Sequence, residues 1–548
     1  MKRTTLAVLM IALAILAMAA PMAYAQAPAP KVTINGLIDN VTSYSENMAN
    51  YNGGVFNRKD QMWYLRTRGR FDFIGEVGKA KGVLGIELDH VYGQAGSNDS
   101  TIVSAGAAAT TAVQTGFGTD GSFDLNTDSR GIIEIKWLYV EFPVPLIPIP
   151  TTARLGAQPF GAIASYKLAA YATGDFPGVN VSWQFTPNVK LITTYVQVEE
   201  NLTGPTTKTG LAYAGIANTQ NRGDDWAAII SPEITPFKGL DIKPLLSVFS
   251  AQGTTNGSAR AGRGGVGTGA GFFSNPDGTM RGGINETRYT VGLDARLRMG
   301  PFSFDPTVMY QFGNRSVIGN TTGAAAGFAN AGIVNGRKYY AGIDAWLVDL
   351  RAGYQLGPLL IEGVGVYSTG NKARSTTLTS VGYYQPLTTD TSYLADWGTQ
   401  LTSLGLDYLN AYNEAAGRIA YAGNQIGWDK YGRGQVGIKA TYAFTPALSV
   451  MGGVNGHWTA EAVDRNSTAV AGAGLLPSFT GGPRDNSNFV GTEFMALVSW
   501  RFADGLVWDN AAGYMINGRA LDAVTDPAVG GRNTNNPFIL TSRVRFTF

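Results

Sequence analysis

Apolar and polar residues alternate with a period of two through eighteen stretches of the chain. That alternation marks strands with one face in apolar and one face in polar surroundings. The stretches are 32–44, 62–74, 81–92, 130–142, 151–158, 178–186, 188–199, 225–235, 239–251, 285–299, 302–314, 338–356, 358–368, 432–444, 447–460, 488–502, 506–517 and 537–548. Their lengths suit tilted strands crossing a bilayer, which need about 9–11 residues. The connections alternate strictly between long and short. Long ones are 45–61, 93–129, 159–177, 200–224, 252–284, 315–337, 369–431, 461–487 and 518–536; short ones centre on EVGK, PVPLIPIP, TPN, TPFKG, two Gly-Pro pairs, Thr445-Pro446 and ADG. Short turns on one side and long loops on the other are the pattern of an all-β, antiparallel, up-and-down transmembrane barrel. The expectation is about 18 strands; one miscounted hairpin would make it 16.

The same period assigns the faces. In 62–74 one face is Trp63, Leu65, Thr67, Gly69, Phe71 and Phe73, and the other is Tyr64, Arg66, Arg68, Arg70 and Asp72. An arginine facing lipid at mid-membrane costs about 2–4 kcal/mol, so the arginine face is expected to line the lumen. In 286–299, Tyr289, Val291, Leu293, Ala295, Leu297 and Met299 face out, and Arg288, Asp294, Arg296 and Arg298 face in. In the last stretch Leu540, Val544, Phe546 and Phe548 face out, and Thr541, Arg543, Arg545 and Thr547 face in. Parity adds Glu87, Asp89, Glu134, Lys136, Arg154, Arg351 and Glu493 to the expected lumen. Since the last strand must pair with the first, Arg543 and Arg545 are expected one strand from Arg66–Arg70, with Glu87 and Asp89 beside them. The inward arginines point to anion rather than cation preference. Phe73, Tyr139, Phe185, Phe302, Tyr354, Phe444, Phe502 and Trp508 lie near the short turns, where an outward aromatic girdle is expected.

Composition narrows the class. With 71 Gly, 25 Tyr, 25 Phe and 15% charged residues, and a mean hydropathy of −0.02, the 548-residue chain departs from soluble norms. Lys2, Arg3, the apolar run 6–20 and Ala23-Tyr24-Ala25 read as a signal peptide, 1–25, cleaved before Gln26. The expected exported barrel is then 26–548. Its 40 basic and 40 acidic residues leave no net charge, which argues against nucleic acid as a partner. Beyond residue 25 no run of 18 apolar residues occurs, so any crossing must be made by strands closed into a barrel.

The final stretch, PFILTSRVRFTF, resembles the C-terminal signature of Gram-negative outer-membrane proteins. The resemblance implies that Phe546 and Phe548 act as the assembly signal read by the barrel-assembly machinery, with outer-membrane lipid around the product. Ser542 departs mildly from the pattern. ARLGAQPFG, residues 153–161, is similar to the segment of general and phosphate-selective porins that leads from the fifth strand into an inward-folded third loop. It implies that 159–177 is a constriction loop and that the barrel is a homotrimer. The acidic constriction motif of general porins is absent; this loop holds only Asp175.

Other chemistry is sparse. His90 and His457 lie on separate stretches, no nucleophile is marked beside either, and there is no cysteine. No catalytic residue, metal site or cofactor is expected. Gly-rich 259–273 lacks the strand–helix context of a phosphate-binding loop. In the longest loop, 369–431, Leu394, Trp397, Leu401, Leu404, Tyr408 and Tyr412 recur at three- and four-residue steps, predicting a short amphipathic helix within 391–416 that packs on the rim or caps the mouth. The leading functional expectation is a porin, a water-filled channel for passive diffusion of small hydrophilic or anionic solutes. The alternatives are a barrel sheath or conduit in a polymer-export or electron-transfer complex, an outer-membrane enzyme, and an adhesive barrel without a pore.

Overall fold

A computed structural model describes residues 29–47, 61–92, 132–161, 166–200, 224–251, 285–318, 338–372, 380–387, 393–394, 397, 431–464, 485–521 and 536–548. The predicted signal peptide lies outside the described residues, as does most of the predicted helix in 391–416. In chain order the strands are β1 (Lys31–Glu46), β2 (Gln61–Val77), β3 (Ala80–Tyr92), β4 (Ile132–Pro143), β5 (Thr151–Pro159), β6 (Asp175–Thr186), β7 (Val189–Glu200), β8 (Asp224–Phe237), β9 (Leu240–Ala251) and β10 (Asn285–Met299). There follow β11 (Phe302–Ile318), β12 (Lys338–Leu356), β13 (Leu359–Ser368), β14 (Ser380–Val381), β15 (Arg433–Thr445), β16 (Leu448–Asp464), β17 (Asp485–Ala503), β18 (Leu506–Asn517) and β19 (Phe538–Thr547). Eighteen of these coincide with the eighteen predicted stretches. The addition is the two-residue β14, which pairs in parallel with Gly342 and Ile343 of β12.

Each wall strand pairs antiparallel with its neighbours, and β1 pairs with both β2 and β19, so the sheet has no free edge. Closure is what permits strands to face lipid, since an open edge would leave backbone N–H and C=O groups without partners. The short turns are tight. Gly300 and Gly357 each hold φ 57°, a region costly for residues with a Cβ, and each is followed by a proline that ends pairing.

The outer surface is apolar. Val32, Ile135, Leu138, Val436 and Phe444 are all more than half exposed. Phe73, Phe185, Phe302, Tyr354, Phe502 and Trp508 are exposed as well. Tyr139 does not join that girdle. In the β3–β4 pairing Gly85 lies opposite Trp137 while Ile86 lies opposite Ile135, so Lys136 is an extra residue. A bulge of this kind reverses the parity beyond it. Tyr139 therefore stands opposite inward-facing Val83, beneath the Arg154 guanidinium, 4.6 Å from its ring centroid.

The seam is sealed by a ring in a notch. Gly36 and Phe548 exchange backbone hydrogen bonds of 2.9 and 3.0 Å. The Phe548 ring occupies the space a Cβ on Gly36 would fill, 2.1 Å away from that position. It lies near Phe546 and Phe71 on the outer face.

Candidate functional site: the barrel interior

Two dissimilar walls meet inside the barrel. The first runs from β18 through β19, β1, β2, β3 and β4 to β5. It carries the predicted arginines, and register places them side by side: Arg543 is opposite Val41, which is opposite Arg66, and Arg545 is opposite Asp39, which is opposite Arg68. The ladder is not bare. Asp39, which the sequence reading did not single out, accepts from Arg543 Nε at 2.6 Å, from Arg543 Nη2 at 2.8 Å and from Arg66 Nη2 at 3.1 Å. Its signal was its parity with Leu37 and Val41 in β1. Arg545 donates to Asp509 of β18 at 2.7 Å. Glu87 accepts from Arg70 and forms ion pairs of 3.4 Å with Arg68 and with Lys136. Lys136, freed by the bulge, also reaches Asp175 at 3.2 Å. Arg154 grips Glu141 at 2.6 and 2.9 Å, and Lys81 joins that carboxylate at 2.8 Å. Asp89 is opposite Arg68 in the backbone register; its side chain lies outside the described residues, as does that of His90.

The second wall, β7 to β16, is covered by the chain itself. After β5 the polypeptide turns inward at Phe160, which stacks on Phe176 at 4.3 Å, and forms a 3-10 turn, Tyr166–Ala170. Leu168 and Tyr171 are fully buried, in one cluster with inward-facing Ala227, Leu245, Phe249 and Met309. Lys167 Nζ donates to the Asp305 carbonyl and to the Asp349 carbonyl at 2.8 Å, with the Asp349 carboxylate at 3.5 Å. Burial pulls the Lys167 pKa below the ordinary lysine range, with Asp349 opposing that shift. Tyr171 shares a 2.7 Å hydrogen bond with Ser247.

A second insertion follows β14. Gln311 of β11 holds Gln385 from both sides: its Nε2 donates to the Gln385 carbonyl at 2.7 Å and its Oε1 accepts from Gln385 N at 2.8 Å. Arg315 donates to Gln385 Oε1 at 2.5 Å and to Glu286 at 2.7 Å. Tyr384 donates to the Ala170 carbonyl at 3.1 Å, and Leu387 N donates to the Tyr171 carbonyl at 2.8 Å, tying the insertions together. Of the predicted amphipathic helix, Leu394 and Trp397 are described; both are buried in the same cluster, with Trp397 N bonded to the Leu394 carbonyl. They lie against the inner wall.

The remaining predicted residues belong to this covered wall. Arg288 pairs with Glu286 at 2.7 Å and lies over the Phe249 ring. Asp294 accepts from Thr307, and Arg296 is opposite Asp241 in register. Arg298 forks onto Asp305, and Arg351 onto Asp349 at 3.0 and 3.1 Å. The two walls differ in wetness. The Arg70, Arg543 and Arg545 side chains are 35%, 21% and 38% exposed, with Arg66 the exception at 3%. Those of Arg288, Arg315 and Arg351 are 1%, 1% and 7% exposed, with Arg298, at the turn end of β10, the exception at 47%. Lys167, Tyr171, Tyr384, Gln385 and Gln311 were missed by the sequence reading. Their one advance signal was Lys167 itself, the single basic residue in loop 159–177.

No protein-family model matches the chain, and no curated protein matches it. Among solved structures it is similar to OccK8 (OprE) of Pseudomonas aeruginosa, at 10% identity and a TM-score of 0.44 over 94% of this chain and 98% of that one. It is also similar to the outer membrane protein OprD from Pseudomonas aeruginosa, at 9% identity and a TM-score of 0.42 over 96% of each chain. OccAB2 of Acinetobacter baumannii follows at 10% identity and a TM-score of 0.42 over 94% of this chain and 98% of that one. The architecture rests on the chain's own strand pairing.

Proposed function

We propose that this protein is an outer-membrane porin, a channel for passive diffusion of small hydrophilic solutes with a weak anion preference. One observation carries the reading: a closed sheet turns aromatic and aliphatic residues outward around its whole circumference and charged residues inward. A lipid-facing apolar band around a polar interior is the physical requirement of a transmembrane barrel. Solutes cross by diffusion along the arginine wall, with no covalent step. Selectivity follows from charges lining the path: Arg66, Arg68, Arg70, Arg543 and Arg545 attract anions, and Asp39, Glu87 and Asp509 hold the preference weak. The inserted residues 166–172 and 383–387 narrow the path from the opposite side. In this reading 1–25 is the export signal and Phe546 and Phe548 are the assembly signal.

Planar-bilayer recording of the refolded barrel tests the proposal. Stepwise conductance is expected, with a reversal potential in a KCl gradient on the anion side of zero. Absence of conductance from a barrel that runs as folded on a gel would overturn it.

A further inference from the structure

Gln435, Asn455, His457 and Glu493 form a polar patch where the covered wall meets β17. Register brings them together: Gln435 of β15 is opposite His457 of β16, and Asn455 of β16 is opposite Glu493 of β17. All four are 0–3% exposed. Hydrophobic side chains border the patch, with Val366 opposite Gln435 and Met515 opposite Glu493. His457 Nε2 lies 3.1 Å from Glu493 Oε2. Asn455 donates to the Trp397 carbonyl at 3.3 Å, which leaves its Oδ1 without a partner. Its side chain lies across Gly437, where a Cβ would sit 1.7 Å from Oδ1. Both polar atoms of the Gln435 carboxamide are buried without a partner.

Leaving such groups dry is unfavourable, and buried amides elsewhere in proteins have partners. The contrast within this barrel is direct: Gln311, a buried amide facing inward on β11, is fully engaged by Gln385 and Thr290. From this patch we infer a solute-binding site for a neutral, hydroxyl-rich molecule of sugar type. The open groups are a carboxamide N–H donor and two amide oxygen acceptors, which match hydroxyls that both donate and accept. Glu493 and the amide oxygens oppose an anion. Lys439, on the same face of β15, pairs with Glu362 at 3.3 Å, and Glu493 has His457 at 3.1 Å, so the charges beside the patch are already matched and invite no ion. The preference therefore differs from that of the arginine wall.

The inference deepens the channel reading, and calorimetry separates the two. The folded barrel in detergent is titrated with glucose, gluconate and glucosamine, which share a carbon skeleton and differ in charge. Glucose is expected to bind most tightly, in the millimolar range, and Gln435→Leu to weaken it about fivefold to tenfold, the effect of one or two lost hydrogen bonds. Asn455→Ala is the second variant, and heat-modified gel migration reports that each is folded. Unchanged glucose binding in a folded variant, gluconate binding as tight as glucose, or no glucose heat at all would overturn the site; the last result means water alone occupies the patch. Glucose binding without bilayer conductance would retain the site and remove the channel reading.

Discussion

The arginine wall and the covered wall are built from the same side chains but treat them differently. Both carry arginines paired with carboxylates at similar distances, Arg543–Asp39 at 2.6 Å and Arg315–Glu286 at 2.7 Å. On the covered wall the pair is sealed under Gln385, and the charges serve as a clamp for an inserted segment. On the arginine wall Arg66 is buried against Asp39, but the guanidinium edges of Arg70, Arg543 and Arg545 stay partly in water, and their charges remain available to a passing solute. Water access, more than charge sign, separates a structural ion pair from one that sets a field.

Arg315→Met should show the largest effect. It leaves Glu286 with Arg288 as its remaining partner and removes one of the three hydrogen bonds that hold Gln385. Breaking a buried pair outright costs about 3–5 kcal/mol, and the surviving Arg288 contact puts the loss near the lower end, about 3 kcal/mol. The expected readout is a lower urea midpoint together with a larger, noisier single-channel current as the insertion loosens. An unchanged current with lowered stability would show that the insertion does not narrow the path. Asp39→Asn comes next. Arg543 and Arg66 lose their shared carboxylate, so the reversal potential should move further toward anions, with a stability loss of about 1–3 kcal/mol because the amide still accepts a hydrogen bond. A reversal potential that stays put would remove the arginine wall from ion selection. Arg545→Met is the smallest: its side chain is 38% exposed, and the buried Asp509 carboxylate it leaves keeps the 2.6 Å hydrogen bond from Ser499, so the stability loss should stay at about 1–2 kcal/mol, while anion preference declines slightly. A stability loss as large as that of Arg315→Met would erase the distinction between the walls.

Period-two patterning located all eighteen wall strands because lipid on one side and water on the other impose the same demand on every residue pair. Parity also placed Arg66, Arg288, Arg298 and Arg543 on the inner face. It failed at Tyr139, where Lys136 adds one residue to β4 and no local signal in the chain announces a bulge. It missed the insertions for a different reason. Residues 166–172 and 383–387 are bound by tertiary contacts to strands far away in sequence, Lys167 to Asp349 and Gln385 to Gln311, and carry no periodicity of their own. Asp39 was readable from parity; its double engagement became visible only once three strands were laid side by side.

Asp39 also bears on how the ring closes. Its partners arrive at different separations along the chain, Arg66 27 residues away and Arg543 504 residues away. The β1–β2 hairpin forms locally, while the pairing of β19 with β1 must join distant parts of the polypeptide and is slow on that ground. A slip of one residue in that last pairing would turn Arg543 and Arg545 toward lipid and pull the Phe548 ring from its notch at Gly36. The single carboxylate thus acts as a register check on closure, rewarding the one alignment in which a late arginine meets an acid already holding an early one.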